Sequence, residues 1–136
     1  MLTKEGQIGP MHLKNRMIMS SMGVNLCEFD GSLNEELIRY SETRARGGVG
    51  LVQVGSVTVA HPEAVGAPRQ AACARDDQIP QYRELAERVH KYGAKLSLQL
   101  RHPGLVSGVS AASGYPMLAP SITESHQGDI GSYHEL

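Results

Sequence analysis

The chain reads as an α/β protein, a (β/α)8 TIM barrel of which residues 1–136 form the N-terminal hairpin and about the first three β/α units. Strand-like and helix-like segments alternate between residues 16 and 101, so each pair of successive strands is joined through a helix and must run parallel. Residues 96–101, Leu-Ser-Leu-Gln-Leu-Arg, alternate leucine with Ser97, Gln99 and Arg101, which suits a strand with one face on a hydrophobic layer and hydrogen-bonding groups on the other. The competing arrangement is a small doubly wound sheet, which should carry a G-x-G-x-x-G phosphate loop in its first strand-to-helix turn. Met22-Gly-Val-Asn-Leu-Cys27 does not match it. Three parallel strands cannot close a barrel that needs eight strands and roughly 250 residues. Residues 1–136 are therefore expected to be the N-terminal part of a domain truncated at its C-terminal side.

Taken in order, Gly-Gln-Ile-Gly-Pro-Met-His-Leu-Lys-Asn over residues 6–15 alternates around the turn dipeptide Gly9-Pro10 and predicts a short hairpin. The apolar run over residues 16–22 ends at Gly23 and predicts a buried first strand. Ser32 and Glu35 have the S-x-x-E spacing of a capping box, so a helix should begin there. It carries Leu33, Leu37, Ile38 and Ala45 on one stripe and stops at Gly47-Gly48. Residues 49–54 follow as strand two, closed by Gly55. A loop over residues 61–75 leads to a second helix, capped by Asp76 or Asp77 and tolerating Pro80 in its first turn. Its stripe is Ile79, Tyr82, Leu85, Ala86 and Val89, and Gly93 is its stop signal. Lys95 then opens strand three. Residues 103–136 are rich in Gly, Ser and Pro and read as loop throughout.

With 40% apolar and 20% charged residues the composition is that of a folded globular chain. A net charge of −1 with no basic tract offers nothing to nucleic acid or to an anionic membrane. Cys27 and Cys73 are too few and too isolated for a disulfide framework or a metal site, and His61, His90, His126 and His134 lack zinc-ligand spacing. The N-terminus lacks the charged-then-apolar layout of a signal peptide, so a reducing cytoplasm is the expected location. No apolar run approaches the roughly 20 residues that span a bilayer.

In a barrel of this type, function gathers at the C-terminal ends of the strands. Those ends are Ser20-Ser-Met-Gly23, Val54-Gly-Ser56 and Gln99-Leu-Arg-His102. Together they suit a flat heteroaromatic ligand, since Gly55 leaves room for a ring against the backbone and Gln99 offers one acceptor and two donors to an imide edge. Singly, each has a plainer reading: a glycine at a strand end is a turn, Gln99 satisfies a polar barrel layer, and His102 before Pro103 is a loop histidine. The combination is what argues for a ligand.

Leu13-Lys-Asn-Arg-Met-Ile-Met-Ser-Ser-Met-Gly23, Arg44-Ala-Arg-Gly-Gly-Val-Gly-Leu51, His90-Lys-Tyr-Gly-Ala94 and Leu98-Gln-Leu-Arg-His-Pro-Gly104 occur in the order found in Old Yellow Enzyme-like NADH:flavin oxidoreductases, which the chain resembles. Leu118-Ala-Pro-Ser-Ile122 also resembles the family's stretch after strand three. The resemblance implies an FMN-binding barrel whose floor is plugged by the hairpin around Pro10. It implies that the backbone of Ser21, Met22 and Gly23 lines the flavin, that Gly55 lies close to the isoalloxazine, and that Gln99 bonds the pyrimidine edge. The implied reaction passes hydride from NAD(P)H through FMN to the activated C=C bond of a small-molecule enoate, enone or dienoyl substrate. No catalytic residue is implied within residues 1–136, because the groups that hold the substrate carbonyl, donate the proton and bind the FMN phosphate lie downstream.

Gly23-Val24-Asn25 resembles the enoate and 2,4-dienoyl-CoA reductase branch, in which a further region carries an iron–sulfur cluster and FAD. A homo-oligomer is compatible with the family. Three positions depart from its pattern: Ser20-Ser21 stand where Ala-Pro is common, and Leu105 stands where arginine is common. The alternative reading is a catalytically inert fragment or scaffold of the family, unable to bind FMN alone.

Overall fold

A two-residue turn at Gly9-Pro10, with Gly9 at φ +54°, lets residues 6–13 fold back on themselves, as their alternation predicts. In a computed structural model, which describes residues 1–121 and 133–135, β1 (Gly6–Ile8) pairs antiparallel with β2 (Met11–Leu13), Gly6 opposite Leu13. The chain then enters a parallel sheet of order β3 (Ile18–Met19), β4 (Leu51–Thr58) and β5 (Lys95–Arg101). The apolar run over residues 16–22 contributes only two ladder residues, and Ile18 is 48% exposed rather than buried. Its strand lies at the sheet edge, where nothing among the described residues covers its outer side. What anchors it is Asn15, whose Nδ2 donates to Gly48 O at 2.7 Å while its Oδ1 accepts from Met17 N.

Helix α1 (Glu35–Arg46) and helix α2 (Ile79–His90) supply the crossovers, and their caps differ from the predicted ones. Asn34, not Ser32, caps α1: its extended backbone lets Oδ1 accept from Leu37 N, whereas Ser32 is occupied with the Asp30 carboxylate. Neither Asp76 nor Asp77 caps α2. A 3-10 turn at Asp76–Gln78 precedes the helix, and the buried Gln78 side chain turns back to accept from Ala74 N and Arg75 N. Both predicted stops hold, with α1 ending at Gly47 and Gly93 at φ +68° after α2. The stripes of both helices meet the sheet in one core containing Leu37, Ile38, Val52, Val57, Leu85 and Val89. Ile79 is the exception, half exposed at the helix start.

Strand β4 does not close at Gly55. It continues to Thr58, with a bulge between Gly55 and Val57 that offsets its register against β5. Thr58 N donates to Ala71 O and Thr58 O accepts from Cys73 N, so the loop after β4 folds back along its end. Strand β5 matches its predicted bounds, and Leu96 and Leu98 pack on the core as the alternation requires. Leu100 does not: it lies past the bulge, outside that cluster, and is 60% exposed.

Residues 104–119 are not loop throughout. They form a 3-10 turn (Gly104–Val106), helix α3 (Gly108–Ala112) and strand β6 (Met117–Ala119), which pairs parallel with β7 (Tyr133–Glu135). Elements this short show no periodicity, and their Gly, Ser and Pro content points to loop. Ile122 and His126 lie outside the described residues. Among the described residues no helix is long and apolar enough to cross a membrane.

The two helices are tied by Arg88 of α2, which donates to Glu35 of α1 at 2.7 and 2.9 Å and also to Glu84 and Glu42. Hydrogen bonding from Arg88 first, and from Arg39 second, draws the Glu35 carboxyl from its ordinary 4.5 down to about 2. The folded pKa lies below the unfolded one, so this contribution is complete above about pH 4.5 and is lost as pH falls toward about 2. Glu35→Gln is therefore expected to flatten the decline of stability across that window, measured by urea unfolding at a series of pH values. A decline as steep as in the wild type would show that the pair contributes nothing.

Candidate functional site

Parallel pairing brings the ends of β3, β4 and β5 side by side. Gly55 stands opposite Gln99 in the β4–β5 register, and Met22, just past β3, bridges to Gly55 from the other side. Ser21 Oγ donates to Gln99 Oε1 at 2.7 Å. Ser21, Met22, Gly55 and Gln99 thus form one cluster, as their positions at strand ends predict, with Gly23 at its rim.

Packing by itself also calls for glycine at position 55. A Cβ there would lie 2.7 Å from Gln99 Cβ, closer than such atoms approach, and in tight contact with Ser21 Cβ at 3.0 Å and Gln99 Oε1 at 3.1 Å. The space is used first by the side chains of Gln99 and Ser21, which close over the buried backbone. At Gly23, by contrast, no atom lies within 4 Å of where a Cβ would stand. Because Oε1 is engaged by Ser21, the Gln99 amide is oriented, and its Nε2 has no partner among the described residues.

Two adjoining spaces flank the cluster. An open cleft of about 460 Å³ is lined by Ser21, Gly23, Ser56, Gln99, Leu100 and Arg101. A narrower hollow of about 170 Å³ runs behind it, between residues 22–27, the end of β4 and residues 66–71. Gly23, Ser56 and Arg101 border both. Among the described residues, the cleft offers hydrogen-bond donors and one cation, and no carboxylate lines it.

Nothing in the sequence marks Gln70, yet it is 5% exposed and hydrogen-bonded to Ser56 at the cleft. A lone glutamine in a loop carries no signal until the loop's return path is known. His102 keeps its structural reading, with Nδ1 accepting from Gly104 N. Cys27 is buried at the wall of the hollow, and burial pushes its thiol up to about 12, so it stays protonated and is a poor nucleophile. Cys73 is exposed, and both thiols are free.

A model of the NADH:flavin oxidoreductase / NADH oxidase family matches residues 6–128. The chain is 39% identical over 120 residues to an NADH oxidase of Thermoanaerobacter brockii, covering 88% of this chain and 18% of that protein. It is 37% identical over 98 residues to a cinnamate reductase of Clostridium sporogenes, covering 69% of this chain and 15% of that protein. The chain therefore spans less than a fifth of the length of either relative. Its fold superimposes on Old Yellow Enzyme from a Pichia species with a TM-score of 0.80 at 24% identity, over 93% of this chain and 34% of that one. That likeness makes β1 to β5 and their two helices the N-terminal portion of a (β/α)8 barrel. With nearly all its length matched by the family's model, the chain belongs to the NADH:flavin oxidoreductase / NADH oxidase family.

Proposed function

We propose that residues 1–136 are the N-terminal part of an FMN-binding barrel domain in an oxidoreductase that passes hydride from NAD(P)H to the activated C=C bond of a small enoate, enone or dienoyl compound. The observation that carries this reading is the Ser21–Gly55–Gln99 cluster, in which a backbone stripped of Cβ lets an oriented amide stand with a free donor beside an open cleft. FMN fits these residues. Its flat ring needs unobstructed backbone, which Gly23 and its neighbours offer, and its pyrimidine edge needs a donor, which Gln99 Nε2 offers. When bound, FMN supplies the hydride chemistry.

The chain's own residues bind and orient. Ser21 holds the Gln99 amide in one direction, so that its donor is already aimed before any ligand arrives, and a preorganised donor costs no rearrangement. The backbone of Ser21, Met22 and Gly23 forms the rim on which a ring can rest, and Gly55 keeps that rim close to Gln99. The name of the Clostridium sporogenes relative, cinnamate reductase, supports an alkene conjugated to a carboxyl group as the substrate class. On this reading the enzyme works in the cytoplasm, with an iron–sulfur cluster and FAD carried C-terminal to residue 136.

The test uses flavin-loaded holoenzyme, prepared from the complete polypeptide or by grafting this chain in place of the matching segment of the Thermoanaerobacter brockii enzyme. Gln99→Ala should lower the flavin reduction potential by about 30–60 mV, the equivalent of one charge-assisted hydrogen bond, with a smaller effect on substrate affinity. An unaltered potential together with unaltered half-reaction rates would remove Gln99 from the site. Gly55→Ala should displace Gln99 and Ser21, costing about 1–3 kcal/mol of stability and much of the flavin content. Thermal melts and the flavin-to-protein absorbance ratio report both effects. Residues 1–136 alone are expected to elute without stoichiometric flavin, since their three-stranded sheet β3–β4–β5 is only part of an eight-stranded barrel; a one-to-one yellow complex would reverse that expectation.

A further inference from the structure

Gln70 lies in the loop between β4 and α2 and is almost fully buried, and the hydrogen bonds of its amide lead to Ser56 near the end of β4 and to Gly66 in its own loop. Nε2 donates to Ser56 Oγ at 2.9 Å and to Ser56 O at 3.3 Å, and Oε1 accepts from Gly66 N at 3.0 Å. Ser56 is the residue skipped by the β4–β5 ladder: Gly55 pairs with Gln99, and Val57 with Leu100. A bulged residue has no strand partner to hold it. Gln70 supplies the hold that the ladder omits.

The loop does not depend on Gln70 for its closure. Thr58 Oγ1 donates to Ala64 O, Ser110 Oγ accepts from Val65 N and donates to Pro62 O, and Thr58 N donates to Ala71 O. Burying an amide beside these contacts costs desolvation that an apolar side chain of the same size would avoid. Its distinctive effect falls on Ser56. With Nε2 donating into Ser56 Oγ, the hydroxyl hydrogen must point elsewhere, and Ser56 borders the open cleft next to Gln99 and Gly23. The Ser56 hydroxyl donates to no group among the described residues.

We propose that Ser56 is a flavin-binding hydroxyl donor and that Gln70 is its positioning residue, orienting the hydroxyl toward the cleft. The inference rests on the FMN reading above. It places two neutral donors, Ser56 O–H and Gln99 Nε2, on adjoining strands at one cleft, each oriented by a partner that occupies its other side: Gln70 for Ser56, Ser21 for Gln99.

The experiment measures FMN dissociation and the visible flavin spectrum of the same holoenzyme at pH 8, alongside the melting temperature of the flavin-free protein. Ser56→Ala should weaken FMN about tenfold, the loss of one hydrogen bond, and shift the visible band. Ser56→Thr, which keeps the hydroxyl, should bind as the wild type does. Gln70→Glu keeps the volume and can still accept from Gly66 N, but its carboxylate draws the Ser56 hydrogen to itself. It should therefore reproduce the Ser56→Ala weakening and band shift in protein that remains folded. A merely structural Gln70 would lower the melting temperature and leave the spectrum alone. If wild type binds FMN while Ser56→Ala and Gln70→Glu bind it equally well with the same spectrum, the inference is overturned and the FMN reading stands. If wild type takes up no FMN, both fall.

Discussion

The close approach of three strand ends at Gly55 is the constraint on which the site depends. Backbone at Gly55 lies so near Ser21 and Gln99 that a single added carbon would collide with Gln99 and crowd Ser21. That approach follows from the sheet order: β4 sits between β3 and β5, so Gly55 pairs with Gln99 on one side and is bridged by Met22 on the other. The bulge after Gly55 then turns the following residue out of the ladder, and Ser56 reaches the cleft instead of pairing with β5. A regular strand would place its side chains alternately on two faces and could not offer both Gly55 backbone and Ser56 hydroxyl to the same space.

Keeping three strand ends in register requires that the elements behind them do not slide. Asn15 fastens the chain before β3 to the turn before β4, and Gly50 permits this because a Cβ there would strike Asn15 O at 2.5 Å. Arg88 fastens α2 to α1 through a pair of bonds to Glu35, and Tyr92 at the end of α2 donates to Glu42. Solvent-exposed ion pairs contribute little individually. Their value here is directional, since one guanidinium meeting carboxylates from both helices favours a single helix register over its neighbours. At the other end, the loop after β4 is stitched to Thr58 and to Ser110, so the wall of the hollow is carried by the fold rather than by a ligand.

Periodicity and punctuation made the large elements legible. Leu37, Ile38, Leu85 and Val89 announce their helices because a stripe at helical spacing has to be buried, and Gly9 and Gly93 mark turns because they take the left-handed conformation. The strand ends carrying Ser21, Gly55 and Gln99 were legible for the same reason. Capping was less so: Asn34 competes with Ser32 two residues away, and the choice depends on Asp30 claiming the serine. The bulge was invisible, since it arises from a mismatch between two strands and not from either one. Gln70 was invisible too, because its partner Ser56 is reached only once the loop has folded back on β4.

The chemistry available at the cleft follows from the kinds of groups around it. Among the described residues, neutral donors and the Arg101 guanidinium border it, and no carboxylate does. Such a lining stabilises electron density arriving at a ligand edge and resists the build-up of positive charge. The nearby thiol of Cys27 is held protonated by burial, so it supplies neither a nucleophile nor a competing negative charge. What these residues offer a bound ligand is therefore orientation and electrostatic complementarity, through donors fixed before it arrives. On the polar face of β5, Ser97 Oγ is buried without a partner among the described residues, one step below Gln99. In a closed barrel that face points to the axis, where side chains from other strands stack in layers. Ser97 Oγ is sealed off by this chain's own atoms, so it belongs to the packed layer beneath the cleft, and Gln99 is the polar side chain of β5 next above it that borders the open space.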